Sequence, residues 1–399
     1  EKTFFRVESK TKESPHDSAG TKSHSPQADQ NEMEELENGD EAQSGRRSSL
    51  DYGDMAKEAF ATRKTSLRVL GLPAKLSVNI CIVLLQVGIC SVFYIFVTEH
   101  IKEVFDFLFG TNLEIKIIYF VVLPFFMLLT TFQSLTFMSR VSFAGNVLMA
   151  IALVIVYVQL ARSPHIPLSQ LAGVTTISDA AVTSGSIMYA LVAASVVLPL
   201  ENKMRNPQQM LGFCGVISTS SMVVIVLYTS MGLMGYITYG SQIEGSITLN
   251  LTNNPVDFSV KVMLLLMTYC GYLIQYYPVT QMVWPIMEPY LSNSPTFLLT
   301  VANYTMRYTI VILSFLFAYT IPNLEKMIPI IGVSSGMLLV LVFPAVIESV
   351  IFWEHWKKQG VIIMYFHVIL NAVYIVMGIF FLIVGVYDSV KSLNNHKHP

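Results

Sequence analysis

The chain has 399 residues, 53% of them hydrophobic and only 13% charged, with a formal net charge of −2 and a mean hydropathy of +0.54. So little charge cannot cover a water-facing surface, which excludes an ordinary soluble globular protein. The balanced charge gives no electrostatic footprint for nucleic acid.

From the N-terminus, residues 1–50 are rich in Ser, Lys and Glu, with an acidic cluster between Asp29 and Glu41 and no hydrophobic period. Such a segment buries too little apolar area to offset its chain entropy, so a disordered cytoplasmic tail is expected there. Within it, Arg46-Arg47-Ser48-Ser49 has the form a basophilic kinase reads, with Ser49 as acceptor; the alternative is an unmodified, solvated tail. Residues 51–75 form a membrane-proximal segment, followed by a transmembrane domain over 76–390 and a short tail at 391–399.

A helix needs about 20 apolar residues to cross ~30 Å of hydrocarbon, because lipid cannot satisfy an open backbone. Nine stretches meet this requirement: 76–98, 117–139, 141–161, 180–200, about 210–236, 262–287, about 299–320, 327–347 and 359–387. An all-α membrane protein with nine spans is therefore expected, with the two termini on opposite sides of the lipid bilayer. Arg63, Lys64, Arg68 and Lys75 precede the first span and favour a cytoplasmic N-terminus. That orientation puts the sequon Asn250-Leu-Thr252 in an outer loop, as a glycosylation candidate.

Polar groups inside the spans need a reason. Gln86, Tyr94, Tyr189, Ser195, Gln275 and Tyr276 either face an aqueous substrate path or act as interhelical glue. Arg307 lies well inside a span, where snorkelling or pairing with a carboxylate such as Glu288 or Glu348 is the structural reading and gating the functional one. His367, in the last span, reads as a satisfied polar contact, with a proton relay as the alternative. Pro199, Gly271, Pro278, Pro285, Pro329 and Pro344 interrupt their helices, as broken transporter helices do. Cys81, Cys90, Cys214 and Cys270 sit in apolar runs without a CxxC and read as small core residues. No metal cluster, nucleotide loop or nucleophile–base pair is recognisable, so neither an enzyme nor a cofactor is expected.

Three groups of motifs follow one another along the chain. The first is Val197-Leu-Pro-Leu-Glu-Asn-Lys-Met-Arg-Asn-Pro207, carrying Pro199, Glu201, Asn202 and Lys203. The second is Gly235-Tyr236, Tyr239-Gly240 and Gly245-Ser-Ile-Thr-Leu-Asn-Leu251. The third is Arg307, Ile321-Pro322, Gly332-Val-Ser-Ser-Gly336 and Phe343-Pro344, ending at Glu348. In this order they resemble the proton-coupled amino-acid transporters, within the auxin/amino-acid permease branch of the amino acid–polyamine–organocation superfamily.

The resemblance implies a fold of two inverted five-helix repeats plus one helix, moving small amino acids with a proton as coupling ion. It also implies a substrate site where the family's first and sixth helices unwind. Asp51-Tyr-Gly-Asp54 matches the stretch after the family's second helix, so the nine spans are expected to be the third to eleventh, in an incomplete fold. In the run Tyr189-Ala-Leu-Val-Ala-Ala-Ser195, Val192 and Ala193 stand where the family opens its sixth helix with an acid and a glycine. Ala in place of Gly favours the helix by ~1 kcal/mol, so this span is expected to unwind less readily. The expected function is symport of small neutral amino acids in the complete form, at the plasma membrane or a lysosomal or endosomal membrane. The alternatives are a non-transporting sensor or scaffold, or a truncated form that transports poorly or not at all.

Overall fold

The computed structural model describes residues 51–395, except 62–64, 111–112, 133, 172, 174–175, 193–196, 198–203, 205, 211, 213, 252–253 and 292–293. Among the described residues every regular element is a helix. In chain order the principal ones are α1 (Tyr52–Ala61), α2 (Gly71–Phe109), α3 (Ile115–Thr131), α4 (Leu135–Arg162), α5 (Ile177–Leu191) and α6 (Val216–Tyr239). There follow α7 (Pro255–Leu291), α8 (Thr296–Thr320), α9 (Leu324–Gln359) and α10 (Val361–Asn395).

Seven of these, α2, α4 and α6 to α10, are long and apolar enough to cross a membrane. The apolar α3 is shorter, with 17 residues, about 26 Å at 1.5 Å per residue. Each of the nine apolar stretches thus coincides with a helix, but two boundaries differ from expectation. The second stretch ends at Thr131 instead of 139, because Phe132 is extended and Ser134 caps the next helix by accepting from the Phe137 N–H at 3.4 Å. Arg140 therefore lies within α4 instead of in a loop.

Within the stretch at 180–200, α5 ends at Leu191, and Val192 is extended with φ −71° and ψ 108°. The expectation that Val192 and Ala193 would hold this helix closed thus fails at Val192. Its β-branched side chain suits an extended backbone, and it packs on the core beside Tyr189.

The core is aromatic. Tyr94 of α2 stacks on Tyr119 and Phe126 of α3, at centroid distances of 5.8 and 4.8 Å. Tyr272 of α7 meets Phe126 at 4.5 Å, and its hydroxyl pairs with Ser314 of α8 at 2.9 Å. α6 stands at the rim, with Gly235 its one buried residue among those described, as a lipid-facing helix does.

Two features of α9 fix its neighbours. Gly332 crosses Gly185 of α5 so closely that a Cβ on Gly332 would lie 1.7 Å from the Gly185 carbonyl oxygen. Only glycine permits that approach. Further along, residues Leu338–Val342 form a π-turn, in which the Phe343 N–H bonds to the Leu338 carbonyl. Pro344 has no N–H to continue the register, so the Leu339 carbonyl loses its helical donor.

The Tyr52 hydroxyl of α1 donates to that oxygen at 3.4 Å. Tyr52, Ala56, Ala59 and Phe60 bury one face of α1, and Asp54 forms an ion pair with Lys75 of α2. Beside it, partial burial and then the Asp54 charge raise the Asp51 carboxyl above the usual range, with Lys75 opposing them. Tyr52→Phe should leave the Leu339 carbonyl buried and unpaired, at a cost of about 1 kcal/mol. The melting midpoint in detergent should fall by about 2 °C; an unchanged midpoint would show that the long hydrogen bond carries no weight.

Candidate functional site

Where α2, α4 and α7 meet, they leave a half-open cavity of about 170 Å³. Its walls are Phe93 from α2, Ser142, Gly145 and Asn146 from α4, and Met267, Gly271, Ile274 and Gln275 from α7. Phe93 and Gln275 sit near the middle of their helices, and Ser142 lies about two turns into α4. The sequence shapes it directly. Gly271 faces the Phe93 ring, and Gly145 faces the Met267 backbone, so two missing side chains create the space between three close helices.

The lining carries hydroxyl and amide groups and no charge. Ser142 is 5% exposed, and its Oγ has no hydrogen-bond partner within the protein. A buried unpaired hydroxyl costs about 1–3 kcal/mol, so this atom is set to receive a ligand or water. The amides of Asn146 and Gln275 add donors and acceptors of both kinds. At about 30 Å³ per water, the cavity holds about five waters, or one small polar molecule.

Of the path residues read from the sequence, Gln275 lines this cavity. Gln86, Tyr94 and Tyr276 are fully buried in the core. The Tyr94 hydroxyl is spent on the Tyr119 carbonyl at 2.5 Å. Tyr189 and Val192 are partly buried and pack against the core instead of lining the cavity. Ser195, Pro199, Glu201, Asn202 and Lys203 lie outside the described residues, as does Ser49. Ser142 and Asn146 were missed, although a serine and an asparagine four apart in an apolar helix were a legible polar stripe.

Arg307 does not meet Glu288 or Glu348. Its Nε donates to Asn303 Oδ1 at 2.7 Å and its Nη1 to the Thr130 carbonyl at 3.4 Å, and the Tyr276 hydroxyl lies beside it. Thr130 is in the last turn of α3, where unpaired carbonyls carry partial negative charge and attract a cation. A helix terminus thus replaces the expected carboxylate. Glu348 instead faces His367 at 4.0 Å, and the His367 ring stacks on Trp356 at 4.6 Å.

Asn250 also has a structural task. Its Oδ1 accepts from the Glu244 N–H and its Nδ2 donates to the Gln242 carbonyl, both at 2.9 Å. The nitrogen that a glycan would use thus holds the loop together.

Seven long apolar helices, with a small uncharged cavity between α2, α4 and α7, define a multi-pass membrane protein. The chain belongs to the family described as transmembrane amino acid transporter protein, whose signature matches residues 36–391. It is similar to the probable amino acid transporter skat-1 of Caenorhabditis elegans, with 30% identity over 358 residues, covering 87% of this chain and 76% of that one. It is also similar to the proton-coupled amino acid transporter-like protein pathetic of Drosophila melanogaster, with 28% identity over 362 residues, covering 88% of this chain and 74% of that one.

Proposed function

We propose that the protein carries small neutral amino acids across a membrane together with protons, and that the substrate passes through the cavity between α2, α4 and α7. The observation that carries this reading is the unpaired Ser142 Oγ in a small space lined by amides and without charge. A cavity of this size takes a molecule such as glycine or alanine. Its dipoles can hold a zwitterion's carboxylate and ammonium without the cost of burying a fixed countercharge. The name of the fly relative supports a proton as coupling ion.

Residues 76–390 would form the transport domain, with the N-terminal tail cytoplasmic and the protein in the plasma membrane or a lysosomal or endosomal membrane. On this reading Ser49 remains a phosphorylation candidate in the tail. Glycosylation at Asn250 would require its two loop hydrogen bonds to break.

Purified protein in sealed liposomes should take up labelled alanine or glycine saturably, and faster with an inward proton gradient. Ser142→Ala removes the hydroxyl without adding bulk to the cavity, and it should raise the half-saturating concentration about tenfold, the equivalent of ~1.4 kcal/mol. Saturable binding of alanine without any uptake would favour a sensor over a carrier.

A further inference from the structure

α2 has 39 residues, about 58 Å of helix at 1.5 Å per residue, against ~30 Å of hydrocarbon. Its apolar run ends at Thr98, and residues 99–109 continue the same helix beyond the membrane core. That extension carries Glu99, His100, Lys102, Glu103 and Asp106. Most of these groups are matched. The Lys102 ammonium lies 3.3 Å from Asp106, one turn on. Lys261 of α7, 4% exposed, lies 3.3 Å from Glu103. His100 is fixed at both nitrogens, with Nδ1 2.9 Å from the Phe96 carbonyl and Nε2 2.7 Å from Thr248 Oγ1.

Glu99 differs. Its Oε2 is buried and has no hydrogen-bond partner, as is true of Glu103 Oε2 and Asp106 Oδ1. Among the described residues, however, no cation pairs with Glu99 as Lys261 and Lys102 pair with those two residues. Its charged neighbours are of its own sign: Glu103 on its own helix and Glu244 from the loop before α7. The one nearby cation from α7, Lys261, is engaged with Glu103. From α3, Tyr119 reaches the same place. Tyr119 is 1% exposed, its hydroxyl likewise lacks a hydrogen-bond partner, and it feels the Glu99 charge. The Glu99 Oε2 and the Tyr119 hydroxyl thus lie within electrostatic range of each other, each buried and without a hydrogen-bond partner.

An unpaired carboxylate among like charges is the costly form of this site. One added proton removes the charge, relieves the repulsion from Glu103 and Glu244, and turns an acceptor-only oxygen into a donor. We propose that Glu99 is the group that takes up the proton in this carrier, at the C-terminal end of α2, with Tyr119 as its polar neighbour. This rests on the proton-coupled reading above. The site also has a structural link to the cavity. The Tyr119 carbonyl accepts from Tyr94, and the preceding residue on α2, Phe93, forms a wall of the cavity. Protonation at Glu99 and substrate in the cavity therefore act on one rigid helix and its α3 contact.

Two measurements on the full chain test this independently. In infrared difference spectra recorded across pH, the wild type should show a protonated-carboxyl stretch that titrates near neutral pH. The band should disappear in Glu99→Gln and remain in Glu103→Gln. In liposomes, Glu99→Gln should keep alanine uptake but lose its acceleration by a proton gradient, so that the ratio of rates with and without the gradient falls to unity. Glu99→Asp should restore most of that ratio, which also shows that the site tolerates substitution without unfolding. Survival of the band in Glu99→Gln, or of gradient dependence in that variant, would overturn the assignment. A titrating band that depends on Glu99 in a wild type without uptake would uphold the proton site and refute the carrier reading instead.

Discussion

Gly332→Ala is expected to be the most damaging single methyl added to this protein. The new Cβ would sit 1.7 Å from the Gly185 carbonyl oxygen and 2.5 Å from its carbon. Both are backbone atoms of a packed helix, so no side-chain rotation relieves the clash, and α5 and α9 must move apart. Overpacking by a methylene costs about 1–3 kcal/mol where side chains can yield; here the cost should reach or exceed the upper end. The variant should elute as aggregate in detergent, or melt several degrees below the wild type.

Gly336→Ala is the matched control one turn further on. A Cβ there meets its nearest neighbour, the Met188 Cβ, at 3.6 Å, which is ordinary contact. Alanine also favours the helix by ~1 kcal/mol over glycine, so this variant should be as stable as the wild type or more so. Equal destabilisation by the two alanines would refute the close crossing of α5 and α9.

Filling the cavity should separate transport from stability. Gly271→Leu places a branched side chain in the space lined by Phe93, Ser142 and Gln275, where the nearest atom to a new Cβ is Phe93 Cε2 at 3.3 Å. That contact is with a ring that can shift by a few tenths of an ångström. Filling an empty, partly apolar space adds packing contacts, so the melting midpoint should hold. Alanine uptake should fall at least tenfold, because the substrate loses its room and the Ser142 hydroxyl is covered. Gly232→Leu, on the rim helix α6 with nothing within 4 Å of its Cβ, should leave uptake unchanged. Normal uptake by Gly271→Leu would place the substrate path elsewhere.

The sequence by itself determined the class of this protein. Apolar length is a one-dimensional property, and a bilayer of fixed thickness reads it directly, so seven of the nine apolar stretches fall on helices long enough to cross it, with α3 and α5 shorter among the described residues. The motif order around Pro199, Gly245, Arg307 and Gly332 likewise pointed to the transporter family that the comparisons establish.

The tertiary structure decided what hydropathy does not encode, namely which face of each helix meets which neighbour. Gln86, Gln275, Tyr94 and Tyr276 look alike as polar residues in apolar runs. Packing sends Gln86, Tyr94 and Tyr276 into a closed core and leaves Gln275 on a cavity. Arg307 invited a carboxylate partner, but a helix terminus, whose charge exists only once α3 has folded and ended at Thr131, supplied the negative end instead. Glu99 sits one residue past an apolar run, where hydropathy registers only the end of the run. Its unpaired oxygen beside Tyr119 emerged only when α2 ran on and α3 folded back against it, because satisfaction of a polar group depends on atoms distant in the chain.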